Sequence, residues 1–151
     1  MALQRSPLSS SKLVRGAVML AIAALQDERV RTQLAKAPAA ARSWATTRRS
    51  GSDNRTQSGL SRLDPTQRFG QRGIERRLSA VQRNADLVFP DRADPTGSAI
   101  HRAVDELQRA AAISATMPLT DRRRAHARIT NELARLENAL VDAVLPAGQS
   151  T

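Results

Sequence analysis

The 151-residue sequence has a formal net charge of +10, no cysteine and only three aromatic residues. The absence of cysteine excludes disulfides, thiolate metal sites and cysteine nucleophiles. Scarce aromatic residues disfavour a large β-sandwich or β-barrel, whereas the abundant alanine, leucine and arginine are good helix formers. The composition therefore predicts a small, soluble, all-α protein.

The first predicted helix covers residues 12–37 of an amphipathic, basic segment that extends to residue 44, after a disordered stretch over residues 1–11. Four apolar residues lie on one face of this helix: Val14, Val18, Ile22 and Leu25. This face is expected to pack against the rest of the protein or a second copy, or alternatively to act as an interfacial membrane anchor. The uncharged run over residues 16–25 is only ten residues long. Because a membrane-spanning helix needs about 20 residues, no span is predicted here.

Residues 45–72 are predicted to form a flexible, intrinsically disordered linker rich in arginine, serine and glycine. Apolar side chains are almost absent over residues 45–63. A segment of this kind cannot bury enough apolar surface to offset the entropy lost on ordering. The linker is therefore predicted to join the N-terminal segment to a separately patterned second half.

Residues 73–146 are predicted to form a helical bundle of three consecutive helices, followed by a disordered tail over residues 147–151. The first of these helices has one apolar face, with residues spaced alternately by four and three: Ile74, Leu78, Val81, Ala85 and Val88. Such spacing is typical of a single buried stripe on a helix. The pattern favours an antiparallel three-helix bundle or a coiled-coil-like helical hairpin.

The boundaries of the second and third helices have local signals. Asp94 is predicted to cap the second helix and Pro95 to occupy its first position, because aspartate accepts from free backbone N–H groups and proline lacks one. Thr120 is predicted to cap the third helix in the same way. The apolar face of the third helix is the predicted self-association face, since its heptad spacing also suits a coiled-coil homodimer: Ile129, Leu133, Leu136 and Leu140.

Positive charge is concentrated in the first half of the chain. Residues 1–72 hold 13 Lys/Arg and 4 Asp/Glu, whereas residues 73–151 hold 11 and 10. A basic arm of this kind attracts nucleic acid, anionic lipid or an acidic protein. The alternative is that the many arginines reflect only a GC-rich genome.

A second basic cluster, Arg122–Arg124 with Arg128, lies at the predicted start of the third helix. The positive end of the helix dipole disfavours cations there, so a bound anion would relieve the conflict. The alternative is that these side chains extend into water. Together the arm and this cluster give the candidate anion or nucleic-acid contacts: Arg42, Arg48, Arg49, Arg55, Arg62, Arg68, Arg72, Arg122, Arg123, Arg124 and Arg128.

No catalytic, cofactor-binding or metal-binding residue is predicted. His101 and His126 are too far apart along the expected hairpin to share a metal ion, and Asp105 is expected to form a surface ion pair with His101. The predicted function is a non-enzymatic, cytoplasmic interaction or adaptor protein that binds an unidentified protein or itself. Its basic half would engage a polyanion, with nucleic acid preferred. A peripheral membrane protein is the alternative, and a small enzyme or a secreted protein is less favoured.

Overall fold

The computed structural model describes residues 8–34, 36–53, 70–91 and 93–145. Within these ranges the protein is helical and contains no strand, which confirms the predicted all-α class. The helices are α1 (Leu8–Leu25), α2 (Glu28–Leu34), α3 (Ala39–Asp53), α4 (Gln71–Val88), α5 (Pro95–Ala115) and α6 (Leu119–Val144).

The N-terminal segment differs from the single helix predicted over residues 12–37. α1 begins at Leu8, and the chain turns at Gln26 and Asp27 before α2 begins. The Asp27 carboxylate accepts a hydrogen bond from the backbone N–H of Arg29, 2.9 Å away. Aspartate thereby satisfies a free donor at the start of α2, which favours a new helix start over a continuous helix.

α1 packs chiefly against α5 and also against α6. Val14, Val18 and Leu25 are buried, and Ile22 is partly buried against the same hydrophobic core. This face therefore packs against the protein's own helices, which is one of the predicted alternatives, and it is not available to a membrane or a partner. Buried residues from both halves of the chain form one core cluster, so no boundary at residue 73 divides it.

α3 covers residues 45–53 of the predicted linker, which are helical instead. Ala41 and Ala45, one turn apart, are fully buried, and Trp44 packs partly buried against the core. The helix begins after Pro38, whose carbonyl accepts from the N–H groups of Ala41 and Arg42 at 3.0 and 3.2 Å. Tertiary packing thus outweighs the poor helix propensity of the serines and glycine near its end. Residues 54–69 of the predicted linker lie outside the described residues.

α4 and α5 follow the predicted pattern. The predicted stripe of α4 is buried, except for Val88, which is partly buried. Asp94 caps α5 by accepting from the N–H groups of Thr96 and Gly97 at 2.7 and 3.1 Å, with Pro95 at the first turn. A β-carbon on Gly97 would lie 2.8 Å from Cβ of Phe89. Phe89, at the end of α4, lies so close to the backbone of α5 that only glycine fits at position 97.

α6 is the central helix, because it contacts all five of the other helices in the described part of the chain. Its inner face consists of the residues predicted for self-association: Ile129, Leu133, Leu136 and Leu140, all buried. This face belongs to the protein's own core, so it cannot serve as an exposed dimer surface. The Thr120 cap is also corrected, because α6 begins one residue earlier, at Leu119, without a side-chain cap. The predicted tail over residues 147–151 lies outside the described residues.

Candidate functional site

The most buried charged group described is Glu137 of α6, whose side chain is only 1% exposed. Two arginines from different helices bind this carboxylate. Arg48 of α3 donates from Nη2 to Oε2, and Arg77 of α4 donates from Nε to Oε1 at 3.1 Å and from Nη2 to Oε2. The Glu137 cluster, meaning these three residues, therefore joins α3, α4 and α6 at one point.

The environment of Arg48 explains why it needs this partner. Burial lowers the pKa of its guanidinium below the ordinary value, and the positive charge of Arg77 lowers it further, whereas Glu137 raises it. A guanidinium removed from water is costly unless a carboxylate and good hydrogen bonds compensate. Arg48 was a candidate anion contact, but its charge is already satisfied within the protein.

Arg49 makes a second contact between α3 and α6. Its Nη2 donates to Asp142 at 3.1 Å and to the carbonyl of Leu145 at 3.0 Å. Both side chains are partly exposed, so this pair is weaker than the Glu137 cluster and remains open to exchange with another anion. Among the remaining arm residues, Arg42 is exposed on α3, and Arg55, Arg62 and Arg68 lie outside the described residues.

The arginines predicted at the start of α6 take different positions. Arg122 is half-buried and donates to the Met117 carbonyl at 3.0 Å, so it holds the end of the α5–α6 connection. Arg123, Arg124 and Arg128 are exposed. Arg123 also lines an open depression of about 340 Å³ together with His126, Ala127, Thr130 and Asn131.

The exposed arginines form two stripes with the same spacing. Arg72, Arg76 and Arg83 lie on α4 at intervals of four and seven residues, and all three are exposed. With 100° of rotation per residue, they fall within about 40° of one another, opposite the buried stripe of that helix. We call this set the α4 stripe.

The second set, the α6 stripe, consists of Arg124, Arg128 and Arg135, again at intervals of four and seven. Arg135 is exposed and lies 3.5 Å from Glu132, and the other two make no ion pair among the described residues. The sequence-based prediction included Arg72, Arg124 and Arg128 but missed Arg76, Arg83 and Arg135. Their helical spacing could have identified them, since it is readable once each buried stripe has been assigned.

The two histidines lie in different surroundings. Nε2 of His101 lies 3.3 Å from Oδ1 of Asp86 on α4, whereas the predicted ion pair with Asp105 is not present among the described residues. No group of three or more His, Asp or Glu side chains within the described ranges is arranged to hold a metal ion. His126 belongs to the depression next to Arg123, about two turns after the start of α6.

The outer face of α1 is a different kind of surface. Leu13, Met19 and Leu20 are each more than half exposed, although the opposite face of the same helix is in the core. None of the helices described here is long and apolar enough to cross a membrane.

Comparisons with known proteins give no relative: no family model, no curated protein and no solved structure matches this chain.

Proposed function

We propose that this protein is a non-enzymatic helical interaction protein that binds the phosphate backbone of duplex nucleic acid through the exposed arginines of α4 and α6. The observation that carries the proposal is the pair of arginine stripes, each with three arginines on the solvent face of a helix. The predicted basic arm contributes less than its charge suggests, because Arg48 and Arg49 are paired with carboxylates of α6.

The connections between the helices support a common location for the two stripes. Nε2 of Gln108 lies 3.3 Å from Oε1 of Gln82, and Nε2 of His101 lies 3.3 Å from Oδ1 of Asp86. The later residue of α4 thus contacts the earlier residue of α5, so the two helices run in opposite directions. A three-residue connection over residues 116–118 joins α5 to α6. α4 and α6 contact each other, with Arg77 beside Glu137, so the two stripes lie on neighbouring helices.

The dimensions of a stripe suit a run of phosphates. Arg72 and Arg83 are 11 residues apart, which corresponds to about 16 Å along a helix. Because each strand winds around the duplex with about ten steps per turn, a straight stripe of this length faces only part of a turn, and each of its three arginines is expected to contact about one phosphate. Planar guanidinium groups also match phosphate oxygens in pairs.

Helix polarity favours the same ligand. Arg72 lies in the first turn of α4, and Arg123 and Arg124 lie near the first turn of α6. Each helix start carries a partial positive charge, which repels arginine and attracts phosphate. Recognition of the backbone is favoured over stacking on bases, because the only tryptophan, Trp44, is packed against the core.

The test is the salt dependence of duplex DNA binding by the full chain. The slope of log K against log salt is about −0.9 for each phosphate contact. Changing Arg72, Arg76 and Arg83 together to glutamine should weaken binding and make the slope shallower by about 2–3. The Arg124→Gln/Arg128→Gln variant should make it shallower by about 1–2.

The matched control removes the same charge elsewhere. Arg29 and Arg31 of α2 and Lys36, two residues after that helix, are exposed, and changing all three to glutamine should leave the slope nearly unchanged. If this control and the α4-stripe variant lose affinity equally, the stripes are not the contact surface. If the chain fails to bind DNA near physiological salt but sediments with anionic vesicles, nucleic acid is the wrong polyanion.

A further inference from the structure

α1 is apolar on two opposite faces, but only one of them is covered. No charged residue occurs from Gly16 to Leu25, and the inner face packs on α5 and α6. On the outer face Leu13 is 60%, Met19 52% and Leu20 61% exposed. These three are half of the exposed large hydrophobic side chains in the described part of the chain. A helix that is apolar all round is normally buried all round.

The outer face has a shape that suits a second helix. With 100° per residue, Leu13, Gly16, Leu20 and Ala23 fall within an arc of about 80°, and Met19 borders it. A β-carbon at Gly16 would meet nothing within 4 Å, so the glycine leaves an open notch between Leu13 and Leu20. Large side chains on both sides of a small one form a surface into which a neighbouring helix can fit.

We propose that two copies of this chain pair through the outer faces of α1, with the two helices antiparallel. The charges at the ends of α1 select this occupant and this direction. Lys12 lies near its start, Asp27 and Glu28 directly follow its end, and Arg29 and Arg31 lie beyond them on α2; all five are exposed. An antiparallel pair brings the basic end of each copy against the acidic end of the other, whereas a parallel pair would bring like charges together.

The charges also set the register. If Lys12 of one copy lies level with Asp27 of the other, Gly16 lies level with Ala23, and Met19 lies level with Leu20. The small residues then face each other, and the large ones meet at the two-fold axis. Such an interface is isologous, so each contact occurs twice.

A second copy fits this face better than a membrane surface does. The antiparallel arrangement pairs the carboxylate of Asp27 with Lys12 of the other copy, whereas an anionic lipid surface offers Asp27 no cation. Arg29 and Arg31 of α2 would attract such a surface, so the vesicle comparison below decides between the two occupants. The contact covers one face of one helix per copy and is therefore at the small end of specific interfaces. We expect a reversible dimer with a Kd on the order of 1–100 µM.

The test is sedimentation velocity of the full chain across this concentration range. The wild-type chain should shift from monomer to dimer as its concentration rises. Leu20→Glu places two like charges at the two-fold axis and should weaken dimerisation at least about tenfold. Leu119→Glu is the matched control, because Leu119 on α6 is equally exposed, and it should leave the equilibrium unchanged.

Cross-linking tests the direction of pairing, since the natural chain has no cysteine. A mixture of Gly16→Cys and Ala23→Cys chains should form disulfide-linked dimers that contain one of each, while neither variant alone should cross-link efficiently. A chain that stays monomeric throughout the range overturns the proposal. So does a dimer that survives Leu20→Glu, or that cross-links Gly16→Cys to itself.

Anionic and neutral vesicles provide the last comparison. Suppose that the wild-type chain is monomeric without lipid but binds vesicles, and that Leu20→Glu abolishes this binding. The outer face of α1 would then meet a membrane surface, and the proposal would be overturned. The inference does not rest on nucleic-acid binding. The arginine-stripe variants should dimerise normally, and Leu20→Glu should retain the salt slope of the monomer on DNA.

Discussion

Removing both arginines of the Glu137 cluster should cost more stability than the sum of the two single changes. Glu137 is 1% exposed, while Arg48 and Arg77 are 34% and 23% exposed. Either arginine alone can still neutralise the carboxylate, so Arg48→Met or Arg77→Met should each cost about 1.5 kcal/mol, the lower end for a charge-assisted hydrogen bond. The double variant leaves a buried, unpaired charge and should cost about 5 kcal/mol, the upper end for breaking a buried pair. The coupling energy is then about 2 kcal/mol.

The assay is urea unfolding at neutral pH followed by far-UV circular dichroism, analysed as a double-mutant cycle. Arg49→Met provides the control, because its pair with Asp142 is partly exposed and should contribute at most about 1 kcal/mol. Adding Glu137→Leu to the double variant removes the unpaired charge and should restore most of the lost stability. Additive costs for Arg48→Met and Arg77→Met, or no recovery with Glu137→Leu, would refute the view that the carboxylate is held buried by two shared partners.

Three further changes test the local packing by the same unfolding assay. Gly97→Ala should destabilise by about 1–3 kcal/mol, because its β-carbon would overlap Cβ of Phe89; an unchanged unfolding midpoint would contradict that contact. Gly16→Ala should instead stabilise by about 0.5–1 kcal/mol, since its helical position has open space, and a loss of stability would indicate a hidden neighbour. Asp94→Ala should cost about 1 kcal/mol through loss of the α5 cap, whereas Asp105→Ala on the exposed side of α5 should change little.

The part of the fold that was predictable from sequence is the part whose signals are local. The stripe of α4 and the Asp94–Pro95 start of α5 need only a few neighbouring residues to be recognised. Each such signal depends on helix periodicity or on one capping hydrogen bond. Both helices were therefore predicted as helices, with bounds close to those in the structure.

α3 was missed because what stabilises it lies far away in sequence. Arg48 and Glu137 are separated by 89 positions, and Arg49 and Asp142 by 93. Within the segment itself, serine, threonine, glycine and arginine resemble a linker, and only the buried pair Ala41 and Ala45 marks a packed face. A pattern of two alanines is too common to predict a helix.

The self-association face of α6 was misassigned, and the α1 face was left with a membrane alternative, for a related reason. Periodicity identifies an apolar face, but it does not say whether that face meets the same chain, another chain or lipid. The faces of α1 through Val18 and of α6 through Leu136 are each covered within the chain. The sequence analysis did not identify the outer face of α1, because Gly16 interrupts its row of large apolar side chains.

The first half of the sequence carries most of the net positive charge, but the surface of the folded protein is less unevenly charged than the sequence. Two carboxylates of the nearly neutral second half, Glu137 and Asp142, pair with two arginines of the basic first half. Those pairs reduce the free charge of the arm, whereas Arg124 and Arg128 of α6 make no ion pair among the described residues. An isolated arm peptide would therefore overstate the number of phosphates that the protein contacts. Only the folded chain has the surface whose salt slope tests the proposed function.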